Sequence, residues 1–238
     1  MINMEVLRVI TPLDSCDCFS VINRGGESLD FPLHAHKEME LHIMFDGDGA
    51  TRTVGDHVGE VEGAEMILVG WGVVHGWKSG KADPGKIGRI TIQFLPDMLS
   101  SGLLSRNIMT DIRDLFERAD RGVLFPPEMA YETAARVKAL CGKTGFPALM
   151  DFLDILNDMA TCRRTEMLSS ACGRVPSGTV TDRIHGAMDY MKAHYGEHIS
   201  LADVAGLSGM SEVAFSRFIR KHTGFTFIET LNEIRLNY

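Results

Sequence analysis

The sequence lacks long hydrophobic runs, has few aromatic residues and carries no excess of positive charge. No stretch of its 238 residues approaches the roughly 18 consecutive apolar residues that indicate a membrane span. The 24 Lys and Arg residues are outnumbered by 32 Asp and Glu residues, which gives a net charge of -8. Sequence-independent affinity for DNA comes from Lys and Arg that neutralise phosphates. Any DNA contact must therefore come from a local basic patch.

Cysteine is also scarce, and its pattern argues against a disulfide framework. The five cysteines are odd in number and scattered. The first ten residues place Glu5 and Arg8 among short apolar runs, unlike a secretory leader. We therefore expect a reduced, cytoplasmic setting. With 45% hydrophobic residues, the chain can build a substantial core and more than one domain.

The first 96 residues show short alternating runs broken by Gly, Asp and Pro, which is typical of an all-β sandwich or barrel. The runs predicted as strands are Glu5–Ile10, Asp17–Asn23, Met39–Phe45, Ala50–Val54, Glu65–Val69 and Lys86–Phe94. After Pro96, apolar residues recur three and four positions apart, which predicts helices over 97–119, 127–141 and 146–172. The turn formers of 173–179 indicate a linker. The expected organisation is α+β and multidomain: a β domain over 1–96, a helical connector over 97–175 and an all-α region over 176–238.

Two helix caps and a turn lie in the C-terminal region. Ser200 can cap a short helix, and Ser211 can cap a second helix that Gly224 closes. Gly209 supplies a tight turn between them, as in a helix-turn-helix. The outward face of the second helix is predicted to carry Glu212, Val213, Ser216, Arg217, Arg220 and Lys221. Three of these residues are basic and lie within five positions, which favours a DNA-reading helix. The alternative is an ordinary amphipathic hairpin with a solvated charged face.

The ordered residues between Ile199 and Leu236 resemble the first helix-turn-helix of the AraC/XylS family of transcription regulators. The resemblance implies that residues 182–195 form a support helix, that 211–223 enters the major groove and that 226–237 forms a connecting helix. It also implies that Arg217 and Arg220 contact a guanine edge or phosphate, with Lys221 facing phosphate. Glu212, Val213 and Ser216 would face bases. Family members carry a second helix-turn-helix, whereas this sequence stops at Tyr238, so only the first half is expected, with weak binding to double-stranded DNA.

A second cluster of polar residues lies in the β region. If residues 34–45 form one extended run, His34, His36, Glu40 and His42 share one face, because side chains alternate along a strand. His75 follows a later strand and a glycine-containing turn.

The pattern HxHxxxE, followed by GxxH, resembles the two motifs of the cupin superfamily of small β-barrels. The resemblance implies that His34, His36, Glu40 and His75 converge inside a cupin-like barrel as a three-His-one-Glu set. Such a set suits Zn²⁺, Ni²⁺, Fe²⁺ or Mn²⁺. Three interpretations stay open: a bound metal, direct contact with a small-molecule effector, or hydrogen bonds that only satisfy the core. His42, Trp77 and Gln93 are candidates to line the same effector pocket.

A cupin-type barrel, a helical connector and a helix-turn-helix, in this order, resemble many AraC-type regulators. We therefore expect a DNA-binding transcription regulator, not an enzyme, that senses a small molecule or divalent metal and forms a homodimer. The alternative is a metal-dependent cupin enzyme of the dioxygenase or isomerase type. A stripe in the third predicted helix is either the dimer seam or packs on its own barrel; its members are Leu149, Phe152, Leu153 and Leu156.

Overall fold

The computed structural model describes residues 7–8, 13, 17–26, 29–30, 32–173, 186–188, 190–191, 193–223 and 225–237. They fall into two compact units, of which the first contains the described residues of 13–173 and the second those of 186–237. None of the described helices is long and apolar enough to cross a membrane.

The described strands form two antiparallel sheets. In chain order they are β1 Leu7–Arg8, β2 Phe19–Gly25, β3 His34–Ala35, β4 Met39–Phe45, β5 Thr51–Val54, β6 His57–Glu60, β7 Glu65–Val69, β8 His75–Lys78, β9 Gly88–Phe94, β10 Val123–Phe125 and β11 Glu166–Met167. One sheet has the order β1-β3-β8-β5-β6, and the other has the order β11-β10-β7-β4-β9-β2. The strands of the described residues pair only within these two sheets, so the predicted cupin-like barrel is not closed.

The helices of the first unit are α1 Ser101–Leu104, α2 Thr110–Ala119, α3 Pro127–Leu140 and α4 Gly145–Thr161, with 3₁₀ turns at Pro96–Met98 and Asn107–Met109. Helices α2, α3 and α4 pack on the outer face of the six-stranded sheet, where their apolar residues join Met39, Leu41 and Ile43 in one core cluster. A second cluster, which includes Met44, Ile67 and Val69, lies on the other side of the same sheet. The alternation along β4 produces this division, because successive side chains point to opposite faces.

Two parts of the helical prediction need correction. The third predicted helix was expected to run to residue 172, but α4 ends at Thr161, where Cys162 adopts an extended backbone. The chain then forms β11, and β10 also lies inside the region expected to be helical. Because both strands belong to the six-stranded sheet, residues 97–173 are part of the first unit rather than a separate connector.

The candidate dimer seam is also corrected. Phe152 and Leu156 have no exposed surface and lie in the core cluster between the helices and the sheet. Leu153 is partly buried against the same cluster. Packing on its own sheet is therefore the correct one of the two alternatives for these residues, and the homodimer stays a prediction without an assigned surface.

The second unit contains α5 Leu201–Leu207, α6 Glu212–Thr223 and α7 Phe227–Asn237. Residues 186–188, 190–191 and 193 are helical as well. Ser200 forms the predicted cap of α5: its side chain accepts from the backbone N–H of Asp203, and the Asp203 carboxylate accepts from the backbone N–H of Ser200. Ser211 caps α6 through the N–H of Ala214. Gly209 has a φ of 62° in the turn between α5 and α6, while Gly224 lies outside the described residues.

Candidate functional site

The four predicted metal ligands come together between the two sheets, but not from one strand. His34 lies on β3 of the five-stranded sheet, directly opposite His75 on β8. Glu40 lies on β4 of the six-stranded sheet. His36 precedes a bend at residues 37–38 that takes the chain from one sheet to the other. The expectation of a single extended run is therefore wrong, although one potential ligand atom from each residue lies within 4.8 Å of the others.

Each of the three histidine rings points its Nδ1 atom at a backbone carbonyl oxygen. The Nδ1 atoms of His34, His36 and His75 lie 3.1, 3.0 and 2.9 Å from the backbone oxygens of Pro32, Glu38 and Val73, respectively. A carbonyl oxygen only accepts, so each Nδ1 carries the hydrogen. A neutral ring in this tautomer keeps the lone pair on Nε2. Backbone contacts of this kind commonly fix the tautomer and the direction of metal-binding histidines.

The carboxylate of Glu40 is the centre of the hydrogen-bonding network. Its Oε2 lies 3.1 Å from Nε2 of His36 and accepts a 2.9 Å bond from Nε2 of Gln93. Its Oε1 lies 3.8 Å from Nε2 of His75, which is too long for a hydrogen bond. Gln93 is the residue opposite Glu40 in the pairing of β4 with β9. The amide therefore orients a carboxylate that would otherwise be buried with fewer donors.

The charges of the cluster follow from this geometry. Burial opposes the charge of Glu40, but the hydrogen bond from His36 and the charges of His75 and His36 lower the pKa of Glu40 well below its usual value. Burial also opposes protonation of His36, but the bond to Glu40 and its charge raise the pKa of His36. Burial, with the charge of His75, lowers the pKa of His34 to about 3. At neutral pH, the His34 ring is therefore uncharged and the Glu40 carboxylate is an anion.

These residues fit a divalent cation. Nε2 of His75 is buried without a hydrogen-bond partner and belongs to the cluster, so it offers a lone pair that no protein group satisfies. Metal binding would displace the proton that His36 shares with Glu40. Two ligand atoms about 2.1 Å from one ion lie at most about 4.2 Å apart. The four ligand atoms, all within 4.8 Å of one another, are therefore close to the spacing that one ion requires.

The predicted pocket residues lie beside the cluster. His42 stacks on Trp77, with ring centroids 3.9 Å apart and an interplanar angle of 17°. The ring of Trp77 lies 5.9 Å from that of His75. Nδ1 of His42 and Oε1 of Gln93 are buried without hydrogen-bond partners. Burial lowers the pKa of His42 to about 4, so this ring is neutral at pH 7.

The sequence analysis missed a buried ion pair next to Trp77. Arg52 on β5 donates to Oε2 of Glu65 on β7, and Nε1 of Trp77 donates a 3.3 Å bond to Oε1 of the same carboxylate. Burial raises the pKa of Glu65 more than the charge of Arg52 lowers it. The signal was a lone acidic residue at the start of the apolar run Glu65–Val69. This pair joins the two sheets and continues the polar interior that begins at the metal ligands.

The predicted DNA-facing residues lie on the outside of α6. The side chains of Glu212, Val213, Ser216, Arg217 and Arg220 are all exposed. On the opposite side of the helix, Phe215 and Ile219 are fully buried in the core of the second unit. Lys221 belongs to α6, but its side chain lies outside the described residues.

Comparisons with solved structures give distant likenesses. A structure of ToxT from Vibrio cholerae is 12% identical, with a TM-score of 0.43, and the match covers 93% of this chain and 82% of that chain. ToxT bound to (E)-4-(8-methylnaphthalen-1-yl)but-3-enoic acid is 13% identical over the same shares, with a TM-score of 0.41. The AraC-like transcriptional activator CuxR is 11% identical, with a TM-score of 0.35, and the match covers 92% and 72% of the two chains.

Likenesses at this level assign the chain neither a family nor a function. No family model matches the sequence, and no curated protein matches it. The function of the chain is therefore inferred from the residues of the two units themselves.

Proposed function

We propose that this protein is a DNA-binding transcription regulator whose first unit senses a divalent metal ion, alone or together with a small molecule. The observation that carries the proposal is the buried three-His-one-Glu cluster with its unsatisfied Nε2 at His75. The second unit of the same chain presents a capped helix with two exposed arginines. A sensing site and a basic reading helix are the two parts that such a regulator needs.

The DNA-binding part of the proposal is supported by the division of α6 into two faces. Buried Phe215 and Ile219 fix the helix against its own unit, so that Arg217 and Arg220 point away from that core. Arginine side chains bind guanine edges with two hydrogen bonds and neutralise phosphates. The rest of the chain is acidic, so this local face is the part that DNA would engage.

The sensing part is supported by the polar interior of the first unit. A purely apolar space between two sheets would be more stable than one that buries unsatisfied His and Gln atoms. The metal would be held by His34, His36, Glu40 and His75. Oε1 of Gln93 and Nδ1 of His42 would then be available to a small molecule bound beside the metal, with the Trp77 ring as an apolar wall.

Binding of the full chain to the DNA upstream of its own gene tests the proposal. We expect binding that weakens as salt rises, with the slope of log K against log salt reduced by about 0.9 for each lost phosphate contact. Arg217→Ala and Arg220→Ala should each lower affinity, while Arg106→Ala, which removes an exposed arginine of the first unit, should not. Fluorescence anisotropy at several salt concentrations measures this. Equal effects of all three variants, or binding that does not depend on salt, would refute the role of α6.

A further inference from the structure

The last described segment of the first unit is fastened to the body of that unit by backbone hydrogen bonds. We call residues 168–173 the clasp. The N–H groups of Leu168 and Ser169 donate to the carbonyls of Gly122 and Arg121 at 3.0 and 2.8 Å, and the N–H of Gly173 donates to Asp120 at 2.9 Å. In the sequence, the clasp is followed by the residues that lead to the second unit.

One carboxylate holds the middle of the clasp. Oδ1 of Asp56, in the turn between β5 and β6, accepts a 2.6 Å bond from the Ser169 hydroxyl and a 2.9 Å bond from the N–H of Ser170. Its Oδ2 accepts from the Ser170 hydroxyl. Hydrogen bonds to a charged acceptor are stronger than those between neutral groups. Asp56 therefore makes three of the side-chain bonds that hold the clasp, beside the 2.7 Å bond that Nε of Arg121 donates to the carbonyl of Ser169.

The end of the clasp contacts the loop that precedes the metal ligand His75. The N–H of Val74 donates a 3.1 Å bond to the carbonyl of Gly173, and the carbonyl of Val74 accepts a 2.7 Å bond from Gly55. Val74 is the residue before His75. The same loop also contacts His36, whose carbonyl accepts a 2.7 Å bond from Gly72. The loop that ends at Val74 therefore connects the clasp to two of the four ligands: His75 follows Val74 in the chain, and His36 is hydrogen-bonded to Gly72.

There is no space between the clasp and this loop. A Cβ at Gly173 would lie 3.0 Å from Cα of Gly55 and 3.0 Å from a methyl group of Val73. A Cβ at Gly55 would lie 2.5 Å from the hydroxyl oxygen of Ser169. Such close packing transmits small displacements, because neighbouring groups cannot absorb them. A displacement of His75 on metal binding would therefore be transmitted to Gly173.

We propose that metal binding at the His34, His36, Glu40 and His75 cluster is coupled to closure of the clasp. An ion that fixes His75 also fixes Val74, which stabilises the Val74–Gly173 bond and holds the clasp on the sheet. Without the ion, the clasp opens more often. This inference rests on the metal site of the proposed function. It adds that metal binding changes how firmly residues 168–173 are held on the sheet.

Coupling between two sites is reciprocal, so the clasp must also affect the metal. Asp56 lies outside the ligand cluster. If Asp56 only held the clasp in place, its replacement would leave the metal affinity unchanged. If the coupling exists, Asp56→Asn should weaken zinc binding by about fivefold or more, the lower end of usual coupling strengths. Ser170→Ala removes one hydroxyl donor and should weaken it in the same direction but less. Asp48→Asn is the matched control, because Asp48 likewise accepts a backbone N–H, from Gly63, at 2.8 Å.

The experiment uses the full chain with and without zinc. Hydrogen exchange followed by mass spectrometry should show amides of residues 168–173 exchanging about fivefold or more slowly when zinc is bound. Zinc titration of the wild type and the three variants gives the reciprocal effect, and circular dichroism verifies that each variant is folded. Unchanged exchange in the clasp, or equal zinc affinity of Asp56→Asn, Ser170→Ala and Asp48→Asn, overturns the coupling and leaves the metal site standing. A wild-type protein that binds no zinc overturns both.

Discussion

Replacing Phe152 by alanine tests the position of α4 in the core. The Phe152 ring is fully buried, with ring centroids 4.6 Å from Phe19 and 5.2 Å from Phe94. Truncating a buried phenylalanine removes its transfer free energy and leaves a cavity, which together cost about 3–5 kcal/mol. The two aromatic contacts place the expected loss in the upper part of that range. Since domains are usually stable by only about 5–15 kcal/mol, the loss should be large and easily measured.

The assay can be confined to the first unit, because both tryptophans of the chain, Trp71 and Trp77, lie in it. Denaturant unfolding followed by tryptophan fluorescence gives the free energy of unfolding at several protein concentrations. Phe146→Ala is the control on the same helix, since Phe146 is 70% exposed and should change stability by less than about 0.5 kcal/mol. Equal effects of the two replacements, or a Phe152→Ala loss that appears only at concentrations where the protein self-associates, would refute the assignment of Phe152 to the core.

Two further predictions concern the cap of α5 and the support of the metal site. Ser200→Ala should destabilise the helices of the second unit by about 1 kcal/mol at pH 7. The hydrogen bonds from Ser200 lower the pKa of Asp203. The stability that the Asp203 carboxylate contributes is therefore fully present above the ordinary pKa of 3.8, and it is lost as the pH falls through the lowered pKa of the folded state. Unfolding followed by far-UV circular dichroism should therefore show a smaller loss of stability for Ser200→Ala at acidic pH than at pH 7. Ser216→Ala, at an exposed position, is the control. A loss of stability that grows on acidification would contradict this. Gln93→Leu should weaken zinc binding about 10- to 100-fold, because Glu40 loses the amide that orients it, and an unchanged zinc titration would exclude that role.

Local patterns predicted the elements whose burial follows their own sequence. The bounds of β4 and β7 were predicted to the residue, because alternation and continuous apolarity are properties of the strand itself. The caps at Ser200 and Ser211 were also confirmed, since a cap is a contact over three residues. Sequence reasoning works where the partners of a residue are close to it in the chain.

Elements that depend on distant partners were missed. Strand β10 forms because Val123–Phe125 pairs with residues 66–68 of β7, and β11 forms because it pairs with β10. Strand β10 has three residues and lies between two predicted helices, and β11 has two, so neither is long enough to show the alternation of a strand. The attachment of Ser169 and Ser170 to Asp56 spans more than a hundred residues and leaves no local signal.

The candidate site was predicted in part: its residues were identified correctly, but the path of the chain between them was not. The motif spacing selected His34, His36, Glu40 and His75, and the structure brings these four residues together. The path of the chain was wrong, because the bend after His36 moves it from one sheet to the other and a spacing of residues does not specify a bend. The Arg52–Glu65 pair was missed for a related reason: Glu65 stands out at the start of its apolar strand, but its partner Arg52 lies on another strand and is identified only when the two sheets face each other.

The most direct test of the account is the metal content and zinc affinity of the full chain without a histidine tag. Elemental analysis and calorimetric titration should show about one divalent ion per chain in the wild type and in His57→Ala, whose histidine lies outside the cluster. The double replacement of His34 and His75 by alanine should abolish binding while tryptophan fluorescence shows a folded first unit. Negligible metal in the wild type, or binding that survives the double replacement, would contradict the assignment of the cluster as a metal-sensing site.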